Sequence, residues 1–75
     1  MNKVYKDNFG NTATIEGVMI FPYKGARKKE NGFRLSIKAD YDNDFLYHVT
    51  VHETEKEAEL KMREFSCNTW KEINK

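Results

Sequence analysis

The stretch Phe33-Arg-Leu-Ser-Ile-Lys-Ala39 decides the fold class, because apolar and polar residues alternate along it without interruption. Such alternation is typical of a β-strand with one buried and one solvated face. The segment from Phe45 to His52 repeats the pattern. Its predicted inward residues are Phe45, Tyr47, Val49 and Val51. Its predicted outward residues are Leu46, His48, Thr50 and His52.

These two strands are predicted to form a hairpin. The intervening Tyr41-Asp-Asn-Asp44 consists of residues that favour turns. Pairing Ala39 with Tyr47 and Ile37 with Val49 keeps both apolar sets on one face and leaves a three-residue loop at Asp42 to Asp44. A slip of one residue would turn every side chain of the second strand to the opposite face.

Upstream, two further strands are predicted at Asn2 to Lys6 and at Ala13 to Phe21, joined by a turn over residues 7–11. The second strand alternates clearly only as far as Gly17. Beyond this glycine, residues of both parities are apolar, which predicts a bulge that switches the pattern.

A helix is predicted to begin at the capping box Thr54-Glu-Lys-Glu57. Ala58, Met62 and Phe65 recur at spacings of four and three and form an apolar stripe. The poor helix formers at residues 66–69 predict a break, after which Trp70 and Ile73 return to the core.

The predicted fold is therefore α+β: a four-stranded, mostly antiparallel sheet with one C-terminal helix packed on one face (ββββα). With 75 residues, 39% of them hydrophobic, the chain has enough apolar material for one core, so residues 1–75 are expected to form a single small domain.

Cysteine content and hydropathy predict a cytoplasmic protein. The single cysteine, Cys67, cannot form an internal disulfide, which is typical of a reducing compartment. The first residues lack the apolar segment of a secretory signal, and no run approaches the roughly 18 apolar residues of a membrane span, so no membrane association is expected. Short chains rich in Lys and Asn are also common in AT-rich mobile elements such as phages.

The net charge of +1 conceals an asymmetry along the chain. Residues 1–38 hold eight bases and three acids, which gives +5, whereas residues 39–75 hold five bases and nine acids, which gives −4. Such a division can orient a partner during an encounter.

The most distinctive local feature is Tyr23-Lys-Gly-Ala-Arg-Lys-Lys29, a predicted exposed hairpin loop with four cations in six residues. Three interpretations remain open. The loop is a solvated connection that keeps two strands apart, a contact for an acidic protein surface, or a nucleic-acid contact that pairs cations with phosphates and stacks an aromatic on a base. The near-neutral net charge weighs against nucleic acid.

Residues that could carry catalysis or bind a metal occur, but in no recognised motif. His48 and His52 are four residues apart on the predicted strand, so they are expected to lie roughly 13 Å apart, too far to bind one metal together. Cys67 with either histidine would supply a nucleophile and a base, yet no spacing brings them together. The four glycines are isolated, without a phosphate-binding loop. We therefore expect no catalysis, no metal and no cofactor.

Since one helix covers one face of a sheet, the other face is predicted to remain open, with an apolar centre and a charged rim of the kind found at protein interfaces. The expected apolar residues are Leu46, Val18 or Met19, and Ile20 or Phe21. The expected function is that of a small non-catalytic interaction module or inhibitor that binds a macromolecular protein partner. A nucleic-acid-binding protein is the alternative, and a homodimer through this face or an edge strand is a further use. The predicted binding residues are Tyr23, Lys24, Arg27, Lys28, Lys29, Arg34, Lys38, Leu46, His48 and His52.

Overall fold

The structure of the protein, a computed structural model, describes residues 2–41 and 46–73. Within these ranges the chain forms an antiparallel sheet and one α-helix, which makes the fold α+β. The elements, in chain order, are β1 (Lys3–Lys6), β2 (Asn11–Ile20), β3 (Glu30–Ala39), β4 (Leu46–His52), α1 (Glu55–Met62), a short 3₁₀ segment (Ser66–Asn68) and β5 (Lys71–Glu72). The predicted loop at Asp42 to Asp44 lies outside the described residues.

The sheet has five strands in the order β4-β3-β2-β1-β5, not the four that we predicted. The additional strand β5 is two residues long and pairs with the free edge of β1, Tyr5 opposite Glu72 and Lys6 opposite Lys71. Its backbone is fixed by Ile73 N, which donates a hydrogen bond of 2.8 Å to Val4 O. A strand of this length carries no periodic signal in sequence, which explains why the prediction missed it.

The core lies between α1 and one face of the sheet, which we call the inner face. The Thr54 hydroxyl accepts the Glu57 N–H at 3.1 Å, so the predicted helix start is confirmed. Ala58 and Met62 of the predicted stripe are buried, and Phe65 packs against the same cluster. The fully buried sheet residues opposite them are Ala13, Ile15, Leu35, Ile37 and Ala39.

After the helix the chain reverses through a left-handed turn. Ser66, Cys67 and Asn68 have φ angles of 55°, 51° and 56°, a region that costs L-residues about 1 to 2 kcal/mol each. The turn brings Trp70 onto the core, where its Nε1–H donates to Met62 O at 2.9 Å. The predicted break is therefore present, but Ile73 stays 39% exposed rather than returning to the core.

The register of β4 differs from our prediction by one residue over most of its length. Ile37 lies opposite His48, and Phe33 lies opposite His52, whereas Ile37 was predicted to face Val49. The cause is a bulge between Ile37 and Lys38: the next pair along the ladder is Lys38 with Leu46, so one residue of β4 is skipped. By contrast, the β2–β3 ladder is regular from Asn11 to Ile20, and the bulge predicted at Gly17 is wrong.

None of the described residues belongs to a helix with the length and hydropathy that crossing a bilayer requires.

Candidate binding surface

The far half of the β2–β3 hairpin extends beyond the core. We call residues 17–33 the hairpin arm. Among the described residues, β2 supplies buried hydrophobic side chains only as far as Ile15, and β3 only from Leu35 onward. The molecule is accordingly elongated, with extents of 40 × 23 × 23 Å. Phe33, at the base of the arm, packs against the core, and the remainder of the arm is a two-stranded projection beyond it.

Backbone pairing and one close side-chain contact hold the arm in shape. The ladder continues without a break to the pair Ile20 and Glu30. Gly32 is buried, and a Cβ at this position would lie 2.5 Å from Cδ1 of Ile20, so the isoleucine side chain occupies the space that the glycine leaves. At the tip, Ala26 N donates to Tyr23 O at 3.1 Å, and Gly25 supplies the positive φ of 93°.

Large apolar side chains are exposed along this arm. Met19, Phe21 and Tyr23 have 54%, 55% and 69% of their surface accessible. An open hollow of about 440 Å³ runs beside Met19 and is lined also by Gly17, Val18, Asn31, Gly32 and Phe33. Exposed apolar residues that cluster in space, rather than singly, are a feature of interaction sites.

The four cations of the predicted loop sit at the end of the arm. Lys24, Arg27, Lys28 and Lys29 are all exposed, as predicted. None of the salt bridges among the described residues involves them. The Lys29 ammonium lies 5.4 Å from the centroid of the Phe21 ring, a cation–π contact that holds a charge over the exposed aromatic. The arm therefore ends in a positively charged and partly aromatic surface.

The face of the sheet opposite α1, which we call the outer face, has a different character from the one predicted. Val49 and Val51 are exposed there, at 48% and 51%, although the sequence placed them inside. Arg34, a predicted binding residue, is held by Glu16 on the neighbouring strand, with Nε 2.8 Å from the carboxylate. Lys38 is half-buried, opposite Thr12 and Leu46 in the backbone ladder. The side chain of Leu46 lies outside the described part of the structure.

His48 and His52 do not belong to the outer face, which corrects their predicted placement. They lie opposite Ile37 and Phe33, on the inner face that α1 covers. The Thr50 hydroxyl lies between them, 3.0 Å from Nε2 of His48 and 2.7 Å from Nε2 of His52. The His48 ring packs against Phe65 at a centroid distance of 4.8 Å. These contacts place polar imidazoles beside a core without leaving them unpaired.

The hydroxyl contact also brings the two ring nitrogens closer than the strand spacing alone suggested. Even so, no group of three or more His, Cys, Asp or Glu side chains in the described ranges is placed to hold a metal ion. Cys67 is exposed on the left-handed turn.

The environment of His48 predicts a pH-dependent stability. Burial lowers the pKa of His48, nearby Lys61 and His52 lower it further, and Glu64 acts in the opposite direction. The unfolded chain therefore binds this proton more readily than the folded protein. The free energy of unfolding is expected to decrease as the pH falls below about 6.5, the ordinary histidine value.

Urea unfolding of the wild type and of the His48→Gln variant, measured between about pH 5 and pH 7.5, tests this expectation. The variant should show a weaker dependence on pH over this interval, because the proton-binding group is absent. An identical dependence in both proteins would assign the effect to other groups.

The acids at the start of α1 are partly engaged within the molecule. Lys3 on β1 lies 2.8 Å from the Glu55 carboxylate, and the Tyr5 hydroxyl donates to Glu59 at 2.9 Å. These contacts tie the helix to the edge of the sheet, and the first-turn carboxylates also favour the positive end of the helix dipole. A structural role accounts for them.

Sequence patterns thus located the charged part of the surface and some of its apolar part. Val18 or Met19 and Ile20 or Phe21 were expected to be exposed, and Met19 and Phe21 are exposed, whereas Val49 and Val51 were predicted to be buried. For the arm, a signal existed. Residues of both parities are apolar after Gly17, which is typical of a strand that is either central in a sheet or in contact with a partner. For Val49 and Val51 the bulge in the ladder had no sequence signal.

Comparison with known proteins adds no relationship: no family model, curated protein or solved structure matches this chain.

Proposed function

We propose that this protein is a small non-catalytic interaction module or inhibitor, and that it binds an acidic protein partner through the hairpin arm. The observation that supports this proposal is the combination, at the end of the arm, of exposed Phe21 and Tyr23 with the four exposed cations of residues 24–29. Apolar and charged groups at one projecting site supply the two components of a protein interface.

The two components have separate physical roles. Cations that form no salt bridge with the described residues attract an acidic surface over a distance of about 10 Å at moderate salt and raise the association rate. Aromatic and methionine side chains then lose water on contact and supply most of the affinity, as interface hot spots commonly do. The hollow beside Met19 provides space for an apolar side chain of the partner.

Charge distribution favours a protein over nucleic acid as the partner. The nucleic-acid alternative was expected to use the basic loop of residues 24–29 together with Arg34, Lys38, His48 and His52. Arg34 is paired with Glu16, and both histidines lie on the inner face. The net charge of only +1 also weighs against a nucleic-acid partner, because nucleic-acid-binding domains usually carry a clear excess of bases.

A charge-reversal experiment tests the proposal. The triple variant Arg27→Glu, Lys28→Glu, Lys29→Glu should retain the fold, because these side chains are exposed. It should capture at least about tenfold less partner than the wild type, since each added acid repels an acidic surface. The measurement is affinity capture from nuclease-treated lysate, with quantification of the bound proteins by mass spectrometry.

The matched control is Lys56→Glu, Arg63→Glu, Lys71→Glu, which has the same net charge but leaves the arm intact; all three side chains are exposed. It should capture the same protein as the wild type. Equal capture by all three proteins would remove the arm from the proposal. If treatment of the lysate with nuclease abolishes capture, and the wild type binds labelled DNA or RNA in a salt-sensitive manner, the partner is a nucleic acid.

A further inference from the structure

The two edges of the sheet differ in their protection. One edge ends in β5, which is two residues long. The other edge is β4, which is seven residues long and pairs with no described strand on its outward side. Proteins commonly protect a long edge with charged residues or proline, but β4 contains neither. Its unpaired backbone N–H and C=O groups can therefore accept another strand.

The sequence of this edge reads the same in both directions. After the bulge, the regular part of β4 is His48-Val-Thr-Val-His52, with Thr50 at its centre. In an antiparallel pair related by a two-fold axis at the central residue, each residue lies opposite the residue at the same distance on the other side of the centre. In this segment the pairs would be His48 with His52, Val49 with Val51, and Thr50 with Thr50. No pair would contain two residues of like permanent charge.

We propose that β4 pairs with β4 of a second copy of this chain, antiparallel and with the two-fold axis at Thr50. Val49 of each copy lies opposite Val51 of the other, and Thr50 lies opposite its own counterpart. The pairing is a property of the sheet edge and does not depend on the proposed function of the arm.

The outer face provides a second reason for this register. Val49 and Val51 are about half exposed in the single chain. Pairing brings the two valines of each copy together as one continuous apolar band, and β-branched residues directly opposite each other stabilise antiparallel strands. An unrelated extended peptide would match the backbone but would match these side chains only by coincidence.

The resulting dimer has a ten-stranded sheet and two arms. Because Phe33, at the base of the arm, lies opposite His52 at the end of β4, the two-fold axis directs the arms to opposite ends of the sheet. A five-residue pairing is about 17 Å long, which is less contact than a standard interface of about 800 Å² per partner provides. We therefore expect a concentration-dependent dimer with a Kd between about 1 μM and 1 mM.

Sedimentation equilibrium of the wild type and of the double variant Val49→Lys, Val51→Lys tests the proposal. The variant puts like charges opposite each other across the axis and should raise the dimer Kd at least about tenfold. The control is Phe9→Lys, Leu60→Lys, because these side chains are also exposed, at 62% and 54%, and lie elsewhere. Its Kd should equal that of the wild type. A wild type that remains monomeric up to about 1 mM overturns the proposal.

Cross-linking provides a second test that does not depend on a disruptive variant. In a Cys67→Ser background, the Val49→Cys and Val51→Cys proteins are mixed and oxidised with diamide. Directly opposite Cα atoms are about 4.5 to 5.5 Å apart, within reach of a disulfide. Bridges between positions 49 and 51 should therefore outnumber 49–49 and 51–51 bridges in peptide mass spectrometry. Equal or greater amounts of the like-to-like bridges would contradict edge pairing and indicate stacked outer faces.

Discussion

Replacing Leu35 with Ala is expected to lower the free energy of unfolding by about 2 to 5 kcal/mol. Leu35 has no accessible surface and belongs to the buried cluster that includes Ile15 and Met62. Its removal leaves a cavity between the sheet and α1. At roughly 0.05 to 0.15 kcal/mol per residue, a folded chain of 75 residues is stable by about 4 to 11 kcal/mol in total, so the variant should lose a large share of that stability. Urea unfolding followed by Trp70 fluorescence measures the loss.

The matched substitution is Val51→Ala, which also truncates an aliphatic strand residue. Val51 lies on the outer face and is 51% exposed, so its truncation should cost less than about 1 kcal/mol. The comparison tests the register of β4, because the register predicted from sequence places Val51 in the core. Similar losses in the two variants would contradict the observed register.

Replacing Asp7 with Ala is expected to cost about 1.5 to 3 kcal/mol, the range for hydrogen bonds to a charged group. The Asp7 carboxylate accepts the N–H groups of Phe9 and Asn11 at 3.0 and 2.7 Å, and it accepts the hydroxyl of Ser66. Burial raises the pKa of Asp7, but the hydrogen bonds from Ser66 and Asn11 outweigh it and lower the pKa below its ordinary value. This stabilisation is therefore present above about pH 4 and is lost as the pH falls further.

Because Asp7 joins the β1–β2 turn to the left-handed turn, its loss should also loosen β5. The amide of Ile73, which donates to Val4 O, should exchange with solvent faster in Asp7→Ala than in the wild type. Glu53→Ala is the control, since Glu53 is exposed and precedes the helix cap Thr54; its cost should stay within about 0.5 kcal/mol. An unchanged exchange rate of the Ile73 amide in Asp7→Ala would show that β5 does not depend on this carboxylate.

Local sequence patterns predicted the elements that depend on local physics. The alternation in β3 identified its buried residues correctly, because Leu35, Ile37 and Ala39 face α1 in the structure. The capping box located the start of the helix, since a Thr side chain can satisfy the N–H three residues later in any tertiary context.

Features that depend on long-range contacts could not be predicted. The bulge between the pairs Ile37–His48 and Lys38–Leu46 inverts the facing of residues 48–52 relative to the prediction. It is tolerated because Phe65 and Thr50 provide partners for His48 on the inner face. Strand β5 depends on a left-handed turn that Asp7 holds from 59 residues away in sequence. Neither the bulge nor the hydrogen bond between Ser66 and Asp7 produces a periodic pattern in the sequence.

The candidate binding surface was likewise predictable from sequence only where it depends on local patterns. The cations at residues 24–29 are recognisable from sequence alone, because no acid precedes Glu30 in that loop. Their separation from the core was not predictable, since it depends on where α1 ends on the sheet. The predicted placement of His48 and His52 on the outer face was wrong because it followed from the wrong register.

Site-specific photo-cross-linking in host cells tests most directly whether the hairpin arm is the binding site. A benzoylphenylalanine residue replaces Tyr23, which is 69% exposed at the end of the arm, or Leu60, which is 54% exposed on the helix. We predict a discrete adduct with one other protein from position 23, none from position 60, and loss of the adduct when Arg27, Lys28 and Lys29 are changed to Glu. Equal adducts from both positions, or none from position 23, would contradict the account.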